Sequence, residues 1–137
     1  MQNPPPVQTA KSSTGLDENV AALLAYVATW VSGLIFFLIE KESRFVRFHA
    51  MQAILLGASA AVIFIVLWIL SIISFFISAA ISDVLGGLVG VIITLLFAAV
   101  GIGFFIAFVL CLIKAYQSQY FKLPVIGNFA EKFSMPK

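Results

Sequence analysis

The sequence predicts an all-α integral membrane protein, with three transmembrane helices in a small bundle and an interfacial amphipathic helix between the second and third. Two observations predict it. Charged residues make up only 10% of the 137 residues and hydrophobic residues 62%, whereas a soluble domain carries about 25% charge. So little charge cannot cover a water-facing surface. The apolar residues also fall into three runs without a charge, 20–39, 50–82 and 84–113. At about 1.5 Å per residue each is long enough to cross a hydrocarbon core of about 30 Å. Lipid cannot satisfy the open backbone of an unclosed sheet, and the alternation of a barrel strand is missing, so the runs read as helices.

Residues 1–15 form a polar tail rich in Pro, Gln, Ser and Thr, a composition that predicts disorder. It lacks the apolar stretch of a cleavable signal peptide. Residues 16–137 make one transmembrane domain. Asp17 and Glu18 offer a helix start, since acidic groups complement the positive end of a helix, and the first span follows over 20–39.

The second span covers 50–70, which brings Trp68 to the outer interface, where an amphipathic indole is favoured. The third covers 94–113. Residues 71–93 are then left over and still apolar. Ser71, Ser74, Ser78 and Ser82 share one helical face. They fit an amphipathic helix in the outer headgroup region, a segment that re-enters the bilayer, or a longer tilted second helix whose serine face packs on a neighbour. Asp83, Gly86 and Gly87 make the turn into the third run. Gly86 with Gly90, and Gly57 with Ala61, have the small-xxx-small spacing that lets helices approach closely in lipid.

Lysine and arginine counting sets the orientation. Three spans leave Lys11 alone on one side and Lys41, Arg44, Arg47, Lys114, Lys122, Lys132 and Lys137 on the other. The prediction is a multi-pass plasma-membrane protein with its amino terminus outside and its carboxyl terminus cytoplasmic.

The richest polar stretch is 40–52, where Arg44 and Arg47, Phe45 and Phe48, and His49 and Gln52 pair on shared faces. It reads as an interfacial helix start, its arginines meeting anionic lipid and its phenylalanines anchoring it, or as a docking surface. Tyr116 and Tyr120 with Lys114 and Lys122 form an inner-interface belt. Pro124 and Gly127 mark a turn before a short amphipathic end over 126–133, within a cytoplasmic end of 114–137. The candidate interaction surface is therefore Arg44, Phe45, Arg47, Phe48, His49, Gln52, Tyr116, Tyr120, Pro124 and Gly127.

Catalysis has little to draw on. His49 is the one histidine and Cys111 the one cysteine, so a metal site is not expected. No phosphate loop, nucleophile elbow or paired catalytic carboxylate appears. No cofactor is predicted, and a net charge of +2 does not indicate nucleic acid. No charged residue lies deep within a span, against an ion-coupled transporter.

Three segments together carry a family resemblance: Gly15-Leu16-Asp17-Glu18-Asn19, the stretch 40–52, and Lys122-Leu123-Pro124-Val125-Ile126-Gly127 running on to Lys132. They resemble the small bacterial and archaeal membrane proteins grouped with Tic-twenty, a component of the chloroplast inner-envelope import translocon. The resemblance covers about 15–132. It implies a non-enzymatic component of a membrane assembly connected with protein translocation, with Phe45, Arg47, Phe48, His49, Gln52, Pro124 and Gly127 sharing the family pattern. The small and serine-patterned residues support an alternative, a homo-oligomeric conduit for ions or small solutes. Partners on either reading are the bilayer, anionic lipid at the cytoplasmic face, and another membrane protein or further copies of the chain.

Overall fold

The structure, a computed structural model, describes residues 10–134. The start of the polar tail, 1–9, lies outside the described residues, so its expected disorder does too. Among the described residues five helices follow one another: α1 (Glu18–Val27), α2 (Trp30–Ile39), α3 (Arg44–Ile81), α4 (Asp83–Tyr116) and α5 (Ile126–Ser134). Among the described residues there is no strand, only an isolated bridge between Lys11 and Asp17.

The second and third apolar runs each lie in one long helix, α3 of 38 residues and α4 of 34, both long and apolar enough to cross a membrane. The separate interfacial helix expected over 71–93 does not form. Residues 71–81 continue α3 and 83–93 begin α4, with Ser82 alone between them. No proline or glycine interrupts α3 in that stretch, so the helix has no local reason to stop before the turn.

The first run differs more. The single span expected over 20–39 is divided into α1 and α2, of 10 residues each. Thr29 holds a φ of 48° between them, outside the helical region. The freed groups are taken locally. Ser32 Oγ accepts from Ala28 N at 2.9 Å and donates to Ala25 O at 2.8 Å, and Thr29 N donates to Tyr26 O at 2.9 Å. One serine of α2 thus closes the end of α1 at the break. A ten-residue helix is about 15 Å long, half of one crossing.

The chain divides into two compact units, one of Met1–Gly57 with Phe108–Lys137 and the other Ala58–Ala107. The second unit is a helical hairpin made from the distal part of α3 and the proximal part of α4. Gly86 lets its turn close, because a Cβ there would lie 2.7 Å from Ser78 Cβ. Phe64 packs on Phe97 and Phe104, with ring centroids 5.9 and 6.4 Å apart. Gly90, expected to share a packing stripe with Gly86, instead faces open space. It lines a groove of about 670 Å³ with Ser71, Ser74, Ser78, Phe75 and Thr94. Most other side chains of this hairpin are exposed and apolar.

The first unit is packed differently, around small residues. Gly33 of α2 is seated on α3, where a Cβ would meet Ala50 O at 2.8 Å and Ala53 Cβ at 3.1 Å. Gly57 of α3 receives Trp30, which a Cβ would meet at 3.0 Å. These contacts run α2 back along the start of α3, so residues 30 and 57 lie level, as do 33 and 53.

Candidate functional site

The polar residues of the first unit gather in two places. The deeper lies under α3. Spaced at 45, 48, 49, 52, 53 and 56, one face of that helix is buried, and it carries His49 and Gln52. Gln52 Nε2 donates to Phe121 O at 3.0 Å and Tyr26 Oη at 3.1 Å, with Cys111 Sγ at 3.3 Å. An amide nitrogen carries two hydrogens, so the two oxygens take them and the thiol is the weaker neighbour. Gln52 Oε1 accepts from Leu123 N at 3.3 Å.

His49 completes the network. Its Nε2 lies 3.1 Å from Gln119 O, and a carbonyl only accepts, so Nε2 carries the hydrogen. Nδ1 then accepts from Tyr26 Oη at 3.1 Å. The direction of every bond follows: Gln52 to Tyr26, Tyr26 to His49, His49 to the backbone of 119. Phe45 and Phe48 close the ring edges, with centroids 4.6 and 5.1 Å from His49, and Tyr120 packs on both phenylalanines. Both imidazole nitrogens and the amide are committed inside the fold. The arrangement locks the irregular chain after α4 onto α1 and α3.

The second cluster ties helix ends together. The buried Glu40 carboxylate accepts from Ser13 Oγ at 2.6 Å, Ser13 N at 2.9 Å, Ser43 N at 2.9 Å and Glu42 N at 3.0 Å. Burial opposes its ionisation, but these hydrogen bonds outweigh it and hold the pKa below the ordinary carboxylate value. Ser43 caps α3 by accepting from Val46 N at 3.2 Å, and its hydroxyl donates to Glu18. Arg47 Nη1 donates to Glu40 O at 2.7 Å and Phe37 O at 3.2 Å, and Nε to Ser134 O at 3.4 Å. Its guanidinium stands 4.4 Å from the Phe37 ring centroid. One cation therefore serves the carboxyl ends of α2 and α5, where a positive charge is favoured.

These contacts correct one expectation. Phe45, Phe48, His49, Gln52 and Gly127 are buried, so they form the interior of the first unit rather than an interaction surface. Arg47 is half-buried; Arg44, Tyr116, Tyr120 and Pro124 remain exposed. Gly127 is needed for a close approach, since a Cβ there would lie 2.7 Å from Lys122 Cα. Ser13 bonds directly to Glu40, and Glu18 to Ser43, so the segment just before α1 and the loop after α2 lie together. Tyr26, Glu40, Ser13 and Cys111 were not part of the interaction surface expected from sequence, where Cys111 was noted only as the one cysteine. The local signals were one tyrosine in the first run and an acid just after it ends.

Known proteins now bear on this arrangement. Residues 16–130 match the family described as the magnetosome magnetite crystal formation protein family. The chain belongs to that family. It is also similar to membrane proteins of the UPF0132 group in archaea. One from Methanocaldococcus jannaschii is 42% identical over 124 residues, covering 90% of this chain and 94% of the relative. One from Archaeoglobus fulgidus is 39% identical over 117 residues, covering 85% and 95%. A second from Methanocaldococcus jannaschii is 35% identical over 119 residues, covering 87% and 71%. No solved structure matches the chain. The family is one of small prokaryotic membrane proteins, as the resemblance implied, and with its two long apolar helices this chain is a membrane protein. Its match is to the magnetosome family; the link to Tic-twenty is not part of it.

Proposed function

We propose that the protein is a non-enzymatic component of a membrane protein assembly, which offers the hairpin tip at 71–93 to another membrane protein. The observation that supports this reading is the length of the apolar helices. Residues 50–82 carry no charge and, as helix, measure about 50 Å against a hydrocarbon core of about 30 Å. Tilting by about 40°, the upper end of the usual range, still leaves roughly 8 Å outside the core. Water is a poor cover for that excess, in which Phe75 and Phe76 are 69% and 68% exposed and Val84 74%. Large exposed apolar patches outside lipid mark protein contacts. The groove with Gly90 gives the partner a seat on the hairpin.

In the first unit the histidine, amide and guanidinium are all engaged in holding the fold, which favours a structural use for them over chemistry. Arg44, Lys41 and Lys132 are exposed, as are Tyr116 and Tyr120, and such residues suit a face lying against anionic headgroups. The Tic-twenty resemblance would set the assembly near protein translocation. The family description speaks of magnetite crystal formation in magnetosomes, and an organising role in a membrane assembly is compatible with either setting. Among the described residues no group of three or more His, Cys, Asp or Glu is placed to hold a metal ion, so the proposal is not routed through iron.

Photoreactive residues at Phe76 and Tyr120, crosslinked in cells and read by mass spectrometry, test the reading. A defined membrane protein captured at Phe76, and lost when Gly90→Leu fills the groove, is the expected result. Capture of this chain alone moves the weight to a homo-oligomeric conduit, for which liposome flux is the next measurement. Capture of lipid alone at Phe76 removes the proposal.

A further inference from the structure

We infer that α1 and α2 form a re-entrant hairpin, entering and leaving the bilayer through the face that carries both ends of the chain, and that its exposed apolar side contacts the acyl chains of that one leaflet. Four observations converge. The ends of the hairpin are together: Ser13 and Glu18 before and at the start of α1 bond to Glu40 and Ser43 after α2. Asn19 Nδ2 also donates to Tyr116 O at 3.2 Å, at the end of α4.

The depth is limited. Trp30, just past the break, is level with Gly57 of α3. That is seven residues beyond Ala50, where the uncharged part of α3 begins, and corresponds to about 10 Å. A core of about 30 Å is therefore entered and not crossed. The break is also built for an apolar setting. Backbone left open in hydrocarbon has no water to satisfy it, and Ser32 closes both Ala28 N and Ala25 O while Trp30 rests on Gly57. The hairpin's outer side is apolar: Val27, Trp30, Leu38 and Ile35 are 66%, 55%, 66% and 51% exposed.

Charge is the fourth. With α1 and α2 returning to the face they left, only α3 and α4 cross. All eight Lys and Arg then fall on one side, before residue 50 or after 113, and the other side carries none, only Asp83. Eight against zero is a stronger bias than the seven against one of a three-span chain. It makes the shared face cytoplasmic, with both termini inside.

The test is labelling of single added cysteines in the full-length chain with a membrane-impermeant maleimide, in intact cells and after permeabilisation. Cys111, being buried, serves as the background control. Lys11→Cys and Lys132→Cys should react only after permeabilisation, Asp83→Cys in intact cells, and Ala28→Cys in neither until detergent is added. Labelling of Lys11→Cys in intact cells, with Lys132→Cys still protected, would restore three crossings and overturn the inference. Labelling of Ala28→Cys from outside would do the same. As a second measurement that needs no substitution, a fluorescent protein that matures only in the cytoplasm is fused to each end in turn. Fluorescence from both is expected, and its loss from the amino-terminal fusion alone counts against re-entry.

Discussion

Gln52 and Glu40 do at the residue scale what a larger hydrophobic core would do in a soluble protein. Each is buried and each holds segments distant in sequence. Replacing Gln52 by Leu removes the acceptor of Leu123 N and the donors to Phe121 O and Tyr26 Oη. A buried polar group left unpaired costs about 1–3 kcal/mol, so Gln52→Leu should lower the unfolding midpoint in detergent clearly. Cys111→Ala should cost far less of the polar network, since the thiol is a weak acceptor at 3.3 Å. Equal losses in the two variants would mean that the network is not what holds the 119–123 segment. Glu40 adds a pH dependence. Its folded pKa lies below the ordinary 4.5, so its contribution is full above that value and is lost as pH falls through the lower, folded pKa. Between about pH 7 and about pH 3 the native chain should lose more stability than Glu40→Gln, measured as unfolding midpoints. Parallel curves would remove Glu40 from the account.

At the scale of elements, what holds the re-entrant pair to α3 is the absence of side chains at Gly33 and Gly57. Gly33→Val would set new atoms against Ala50 O, which a Cβ alone already meets at 2.8 Å. Such overpacking costs about 1–3 kcal/mol. The variant should be cleaved faster by trypsin at Lys41 or Arg44 in detergent micelles, and unchanged cleavage would show that α2 is not seated as described. These elements were legible unevenly. Hydropathy and charge found α3 and α4 because twenty or more uncharged residues are a signal that context rarely overrides. The same signal misread the first run. Counting charges over 20–39 cannot see a break made without proline or glycine, by Thr29 at positive φ and a serine three residues later. The polar stretch 40–52 was legible as important but not as interior. Pairing residues three apart suggested faces. The longer recurrence at 45, 48, 49, 52 and 56 was the available sign of a buried stripe. Glu40 with Ser13, and Gln52 with the backbone of 121 and 123, join residues 27 to 71 apart. No local pattern announces such partners.

For the molecule as a whole, the surplus length of α3 and α4 is the property most open to measurement. A helix longer than the bilayer core responds by tilting, by thickening the lipid around it, or by covering its excess against another protein, and each costs fractions of a kcal/mol per Å of mismatch. With about 20 Å of uncharged helix beyond one perpendicular crossing, the sum is enough to drive association. The excess shrinks as the bilayer thickens. Copies of the chain carrying donor and acceptor fluorophores, reconstituted in bilayers of increasing acyl-chain length, should therefore associate most in the thinnest and progressively less in thicker ones. In the presence of a partner found by crosslinking at Phe76, self-association in the thin bilayers should fall, because the partner covers the same tip. Gly90→Leu should weaken that competition without changing the thickness dependence, since it alters the groove and not the length. Energy transfer that is flat across thickness would mean that the helices meet their excess by tilt alone. The tip would then be lipid-covered, and the assembly reading would lose the observation that supports it.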